Sequence, residues 1–189
     1  LVGRYIGRIH FIGSQYKFKS RIQIDPENFG VRPRNFLIEN NFLPVDLEEP
    51  YRSISKNALD LVNRSFEEQN NLNIIRLHGD AHPGNILWRG EGPHFVDLDD
   101  ACLGPAVQDL WMLTSGDTPD VALQIRDLIA GYEVFREFDQ REVAFIETLR
   151  TLRLMNYAGW LGMRWEDPAF PIAFPWFNTQ SYWTDHIVQ

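Results

Sequence analysis

The stretch Leu77-His78-Gly79-Asp80-Ala81-His82-Pro83-Gly84-Asn85, followed by His94-Phe95-Val96-Asp97-Leu98-Asp99-Asp100, decides how this chain is read. It sets an Asp two positions after a His, an Asn five positions after that Asp, and a second Asp at the end of an apolar run. H-x-D-x-x-x-x-N followed by an Asp closing a strand is the polar inventory for holding a Mg-nucleotide and aiming a hydroxyl at its terminal phosphate. Gly79 and Gly84 permit tight turns between the polar residues.

Each residue type suits one task. Asp97 offers a hard carboxylate oxygen to Mg²⁺, and Asn85 offers a carbonyl oxygen without adding charge. Asp80 is left off the metal, to accept a proton from the acceptor hydroxyl. His78 is expected to hydrogen-bond backbone and keep the loop in shape. His82 stands two positions after the Asp, where many serine/threonine kinases carry a lysine. Its imidazole is expected to reach the γ-phosphate of ATP or the acceptor hydroxyl; the competing reading is a loop histidine bonded to backbone. Asp109, in Gly104-Pro105-Ala106-Val107-Gln108-Asp109-Leu110, reads as a helix residue bracing the loop. Taken singly, an Asp and an Asn in a loop are most often a turn or a cap, and Asp97, Asp99 and Asp100 a solvated acidic turn. The joint spacing favours phosphoryl transfer.

The flanks give the loop its setting. Asn73 to Leu77 is short and rich in β-branched residues, and ends at His78-Gly79. Asn85 to Trp88 and His94 to Asp97 read as a hairpin turning at Gly90-Glu91-Gly92-Pro93. Everything else is helical or connecting. Leu1, Val2, Tyr5, Ile6, Ile9 and Ile12 recur at helical spacing, predicting a helix over 1–13 with that stripe buried. Residues 14–34 read as loop, Pro33 to Asn41 as a short helix, Pro44 to Pro50 as a connection, and Tyr51 to Gln69 as a longer helix. Ala106 to Leu113 is a short helix. A further one is opened by Thr118-Pro119 as cap and first-turn proline. Residues 140–165 are apolar enough to be largely buried, and Ser181 to Val188 reads as a last helix.

Composition narrows the class. The 189 residues suffice for one domain, with 44% hydrophobic and 23% charged residues. A net charge of −8 argues against a nucleic-acid partner. No apolar run is long enough to span a bilayer. One cysteine, Cys102, excludes an intrachain disulfide, and with no secretory signal a cytoplasmic location is expected.

These motifs carry a resemblance. Arg76-Leu77-His78-Gly79-Asp80, Gly84-Asn85-Ile86-Leu87-Trp88-Arg89, Phe95-Val96-Asp97-Leu98-Asp99-Asp100-Ala101, Gln108-Asp109-Leu110-Trp111-Met112-Leu113 and Trp165-Glu166-Asp167-Pro168-Ala169-Phe170-Pro171 resemble the stress response kinase A family. That family lies within the aminoglycoside phosphotransferase and choline kinase group. The resemblance implies an α+β, mainly α-helical fold, the C-terminal lobe of a protein-kinase-like phosphotransferase with a small β-hairpin at the catalytic loop. It implies a serine/threonine protein kinase using ATP and Mg²⁺, with Asp80 as base and Asn85 and Asp97 as metal and nucleotide ligands. The partner is then a protein serine or threonine hydroxyl. A small cationic alcohol is the alternative, to which Asp97, Asp99 and Asp100 are suited. A Gly-rich phosphate loop and a strand lysine with its helix glutamate are not found in 1–189. The chain also opens without Met in mid-helix. The expectation is a catalytic-loop lobe, residues 1–189, inactive alone, with the nucleotide lobe preceding Leu1. Gly79 replaces the arginine that senses activation-loop phosphorylation in many protein kinases, and Asp97-Leu98-Asp99 replaces Asp-Phe-Gly, so no switch of that kind is expected. Two other readings are a metallohydrolase built on His78-x-Asp80-x-His82, for which His10, His94 and His186 are poorly spaced, and a non-catalytic nucleotide-binding module.

Overall fold

A computed structural model describes residues 1–69, 71–90, 92–116 and 118–189, the side chain of Thr118 excepted. They pack as two compact units, one of residues 1–24 and 71–146, the other of residues 25–70 and 147–189.

The first unit holds the motif residues. Helix α1, Val2–Gly13, packs on α5, Thr118–Tyr132. The face it buries is Gly3, Ile6, Gly7, His10 and Gly13. The stripe expected to be buried is therefore corrected: Leu1, Ile9 and Ile12 are exposed and only Ile6 is fully buried. The reason is backbone proximity. A Cβ on Gly3 would stand 2.1 Å from the Leu128 carbonyl oxygen, and one on Gly7 2.4 Å from that of Tyr132. Only the residue without a Cβ lets the helices approach this closely.

Strand β1, Ile75–Leu77, pairs antiparallel with β4, Cys102–Gly104. Cys-Leu-Gly has no alternation to betray it, and it was not expected as a strand. On the other side of β4, Ile24 N–H donates to Leu103 O at 2.8 Å and Leu103 N–H donates to Ile22 O at 3.0 Å. Arg76 on β1 ties the end of α1, donating to the carbonyls of Gly13 and Ile12 at 3.2 Å each. The expected hairpin is β2, Ile86–Arg89, with β3, Gly92–Phe95; its turn includes Glu91, which lies outside the described residues. Strand β3 ends at Phe95, so Asp97 follows the strand and does not close it. Helix α4, Val107–Trp111, and a 3₁₀ turn over Gln140–Phe145 complete the unit. The cap expected at Thr118 falls on a side chain outside the described set.

The second unit is helical and aromatic. It contains α2, Arg32–Glu39, preceded by a π turn over Glu27–Val31 inside the stretch expected as loop. It also contains α3, Val45–Glu68, most of α6, Ile146–Met163, then α7, Ala169–Ala173, and α8, Gln180–Val188. Pro44 to Pro50 is corrected from a connection to the start of α3. Pro50 sits inside that helix, where its missing N–H deprives the Asp46 carbonyl of a donor. The core gathers Leu37, Leu161, Phe177 and Trp183 around Tyr51. Rings of Tyr51 and Trp183 meet edge to face at 5.9 Å, a favoured aromatic geometry.

Candidate active site

The segment from His78 to Asn85 leaves β1 and enters β2, and nearly all its polar groups are spent on fixing its own shape. Gly79 has φ +87°, and a Cβ there would lie 2.2 Å from the Asp100 carbonyl oxygen and 3.0 Å from Cys102 Sγ. Glycine is required on both counts.

Asp109, on α4 and 1% exposed, accepts from the His78 N–H on Oδ2 at 2.8 Å and from the Gly79 N–H on Oδ1 at 2.9 Å. It spans two consecutive amides, which offsets the cost of burying its polar oxygens. A third donor is His10 of α1, whose Nε2 lies 2.9 Å from Asp109 Oδ2. His10 is fully buried, and its Nδ1 meets the Tyr132 hydroxyl at 3.2 Å. Sequence reasoning missed both. The available signal was the small-residue face Gly3, Gly7, Gly13, which marks the buried side of α1 and carries a single histidine.

Glu142 is a further omission. It is 1% exposed, and its Oε2 accepts from the Val107 N–H at 2.8 Å, capping α4. Burial pushes its carboxyl up to about 7, against the pull of the Val107 amide.

His78 is buried, as a loop-forming residue should be. Its Nε2 donates to the Val96 carbonyl at 2.9 Å, so Nδ1 is the acceptor for the Asp80 N–H at 3.3 Å. His82 is used in a similar way. Its Nδ1 accepts from the Gly84 N–H at 3.0 Å, capping the 3₁₀ turn Pro83–Asn85. The proton is then on Nε2, which stands 3.5 Å from Asp80 Oδ2.

Asn85 joins the two halves of the motif. Its Nδ2 donates to the Asp80 carbonyl at 3.0 Å and to Asp80 Oδ2 at 3.2 Å, and its backbone carbonyl accepts from the Val96 N–H at 3.0 Å. Asp97 comes next in the chain, exposed and in the left-handed region at φ +63°. Aspartate tolerates that conformation better than most residues. With Nδ2 committed to Asp80, Asn85 keeps a carbonyl oxygen for other work. Asn85 and Asp97 are a hard-oxygen pair, suited to an ion that completes its shell with water and phosphate oxygens, as Mg²⁺ does. Among the described residues no three His, Cys, Asp or Glu are grouped to hold a metal. His78 and His82 both spend Nδ1 on loop amides, so the H-x-D-x-H string does not converge as a zinc site would.

The model of the phosphotransferase enzyme family matches residues 31–146, the span that contains this loop. The chain belongs to the phosphotransferase enzyme family. Stress response kinase A of Escherichia coli (strain K12) is 44% identical to this phosphotransferase-family chain over 182 residues, 96% of the chain and 55% of the relative. Serine/threonine protein kinase RdoA of Salmonella typhimurium (strain LT2) is 42% identical with the same coverage. The chain thus spans about half the length of the curated relatives it matches. Among solved structures, amicoumacin kinase hAmiN in complex with AMP-PNP, Ca²⁺ and Ami superposes with a TM-score of 0.63 at 16% identity, covering 97% of this chain and 57% of that one. The fold is that of the aminoglycoside phosphotransferase and choline kinase group, mainly helical with small sheets. Among the described residues no helix is long and apolar enough to cross a membrane.

Proposed function

We propose that residues 1–189 are the catalytic-loop lobe of an ATP-dependent serine/threonine protein kinase acting in the cytoplasm, with a nucleotide lobe contributed by chain preceding Leu1. The observation that carries this reading is Asn85, which fixes Asp80 through Nδ2 and leads through Val96 to Asp97. The relatives named as kinases at 42–44% identity support it.

In this reading Asp80 accepts a hydrogen bond from the serine or threonine hydroxyl and aims its oxygen along the line of attack. As the oxygen–phosphorus bond forms and ADP departs with the bridging electron pair, the proton passes to a carboxylate oxygen of Asp80. Asn85 and Asp97 would hold Mg²⁺, which would supply neutralisation of charge on the phosphates. His78 keeps the Asp80 amide in place. His82, held by the Gly84 amide through Nδ1, presents Nε2 to Asp80 and keeps that nitrogen available to the γ-phosphate.

The exposed carboxylates Asp97, Asp99 and Asp100 favour a second reading, transfer to a cationic small alcohol. The test is the full-length gene product with Mg-ATP, offered protein serine and threonine hydroxyls in parallel with aminoglycosides, choline and amino alcohols. Phosphate on protein, lost in Asp80→Asn, is expected. Transfer to small alcohols alone would replace the first reading with the second, and transfer to neither would remove both.

A further inference from the structure

A line of hydrogen bonds, buried from Tyr132 at the end of α5 inward, runs to the catalytic loop. Arg136 Nη1 donates to the Tyr132 hydroxyl oxygen at 3.1 Å. Tyr132, fully buried, meets His10 Nδ1 at 3.2 Å. His10 Nε2 meets Asp109 Oδ2 at 2.9 Å. Asp109 accepts from the amides of His78 and Gly79, immediately before Asp80.

The donor directions are fixed by chemistry. A carboxylate only accepts, so His10 Nε2 carries a proton. A guanidinium only donates, so Arg136 occupies one lone pair of the Tyr132 oxygen and turns the phenolic proton elsewhere. Burial raises the Tyr132 hydroxyl to about 12, against the pull of Arg136, so that proton stays on oxygen. The neutral Nε2–H tautomer of His10 then satisfies every member, each donating to the next. A proton on both His10 nitrogens would leave the Tyr132 proton without an acceptor among the described residues and put a second donor on a hydroxyl that already receives Arg136.

We propose that Tyr132 is a positioning residue for phosphoryl transfer, its hydroxyl, turned by Arg136, holding His10 in the Nε2–H tautomer that anchors Asp109 and with it the loop carrying Asp80. The proposal rests on the phosphotransferase reading of that loop. It assigns a role in the transfer step to a phenol joined to the loop through three successive hydrogen bonds, by way of His10 and Asp109. Tyr132 stands in the close contact of α1 with α5, its carbonyl oxygen 2.4 Å from where a Cβ on Gly7 would lie. The hydroxyl therefore has a fixed base, and an error in it is passed on to His10.

The experiment is Tyr132→Phe in the full-length kinase, with Arg136→Met as the second variant. The ring and its packing on His10, 5.5 Å between centroids, survive the loss of the hydroxyl. Expected are a fall in kcat of about tenfold with KM for ATP unchanged, a change in the ¹⁵N signals of His10 reporting a mixed tautomer, and faster exchange of the His78 and Gly79 amides while remote core amides keep their protection. Arg136→Met should move the same three readouts in the same direction by less, and needs no change in the core. The nitrogen signals and amide exchange are measurable without turnover, so an inactive parent would count against the functional reading alone. Unchanged His10 signals and unchanged Gly79 exchange in both variants would overturn the proposal. So would a loss of kcat accompanied by a general loss of amide protection, which is the mark of a purely structural residue.

Discussion

Asn85 grips Asp80 at two points, main-chain carbonyl and carboxylate, with one amide nitrogen. The residue assigned to the metal therefore also aims the residue assigned to the proton, and the two roles cannot be separated by deleting the side chain.

The three motif residues should nonetheless give distinct signatures in the full-length protein. Asp80→Asn keeps shape and loses the proton acceptor: turnover should fall by about 10²–10⁴-fold with Mg-ATP affinity little changed. Asp97→Asn should weaken both. Asn85→Ala should lose Mg-ATP affinity, recovered in part by excess Mg²⁺, while turnover stays depressed because Asp80 is released. Magnesium titration at fixed ATP reads the difference. Loss of Mg-dependent ATP binding in Asp80→Asn as severe as in Asp97→Asn would reverse the assignment of base and ligand.

Gly79→Ala tests the loop's backbone. The new methyl meets the Asp100 carbonyl, in a left-handed conformation that costs L-residues roughly 1–2 kcal/mol before any clash. A melting temperature lower by about 4 °C or more is expected for a chain of this size. A value within about 1 °C of the parent would show that the loop relaxes freely.

Glu142 makes stability depend on pH. Its folded carboxyl is raised from 4.5 to about 7, so folding favours the protonated form. Below pH 4.5 both states are protonated and nothing is lost. Between 4.5 and 7 the unfolded chain ionises first, and stability declines, levelling off above 7 at a cost of about 3 kcal/mol. Glu142→Gln can still accept from Val107 and does not titrate. Its melting temperature relative to the parent should rise from pH 5 to pH 8. A difference that stays flat across that range would contradict the raised carboxyl.

His82→Asn separates the two bonds of that imidazole. Asparagine can accept from the Gly84 amide as a cap but cannot reach Asp80. Turnover should fall by less than in Asp80→Asn, with the melting temperature kept, whereas His82→Ala should lower both. Parental turnover in His82→Asn would confine His82 to shaping the loop.

The shape of the His78–Asn85 loop was legible because its information is local. Histidine, Asp and Asn at fixed spacing, between two short apolar runs, sit within nine residues, and the structure brings Asp80 and Asn85 into contact. What could not be read depends on partners distant in sequence. His10 lies 99 positions from Asp109 and 122 from Tyr132, and nothing near His10 announces either. The buried face of α1 was misassigned because apolar residues were taken to mark it, whereas a helix that packs backbone to backbone marks its contact with glycine. Pro50 concealed the start of α3, since proline ordinarily ends a helix and here a long run of good helix formers carries it. Strand β4 is three residues long, and only its pairing with β1 makes it a strand.

The contact between α1 and α5 sets an unusual limit on how this protein tolerates random change. Alanine is the smallest step available from glycine, and at Gly3 and Gly7 that step already puts carbon inside the neighbouring carbonyl. The spacing of the two helices has no intermediate settings. A mutagenesis library over residues 2–13 should consequently divide cleanly: Ile9, Phe11 and Ile12, which are exposed, accept nearly any residue, while Gly3, Gly7 and His10 accept almost none. Ile6 apart, the apolar side chains that made the helix recognisable lie off its packed face.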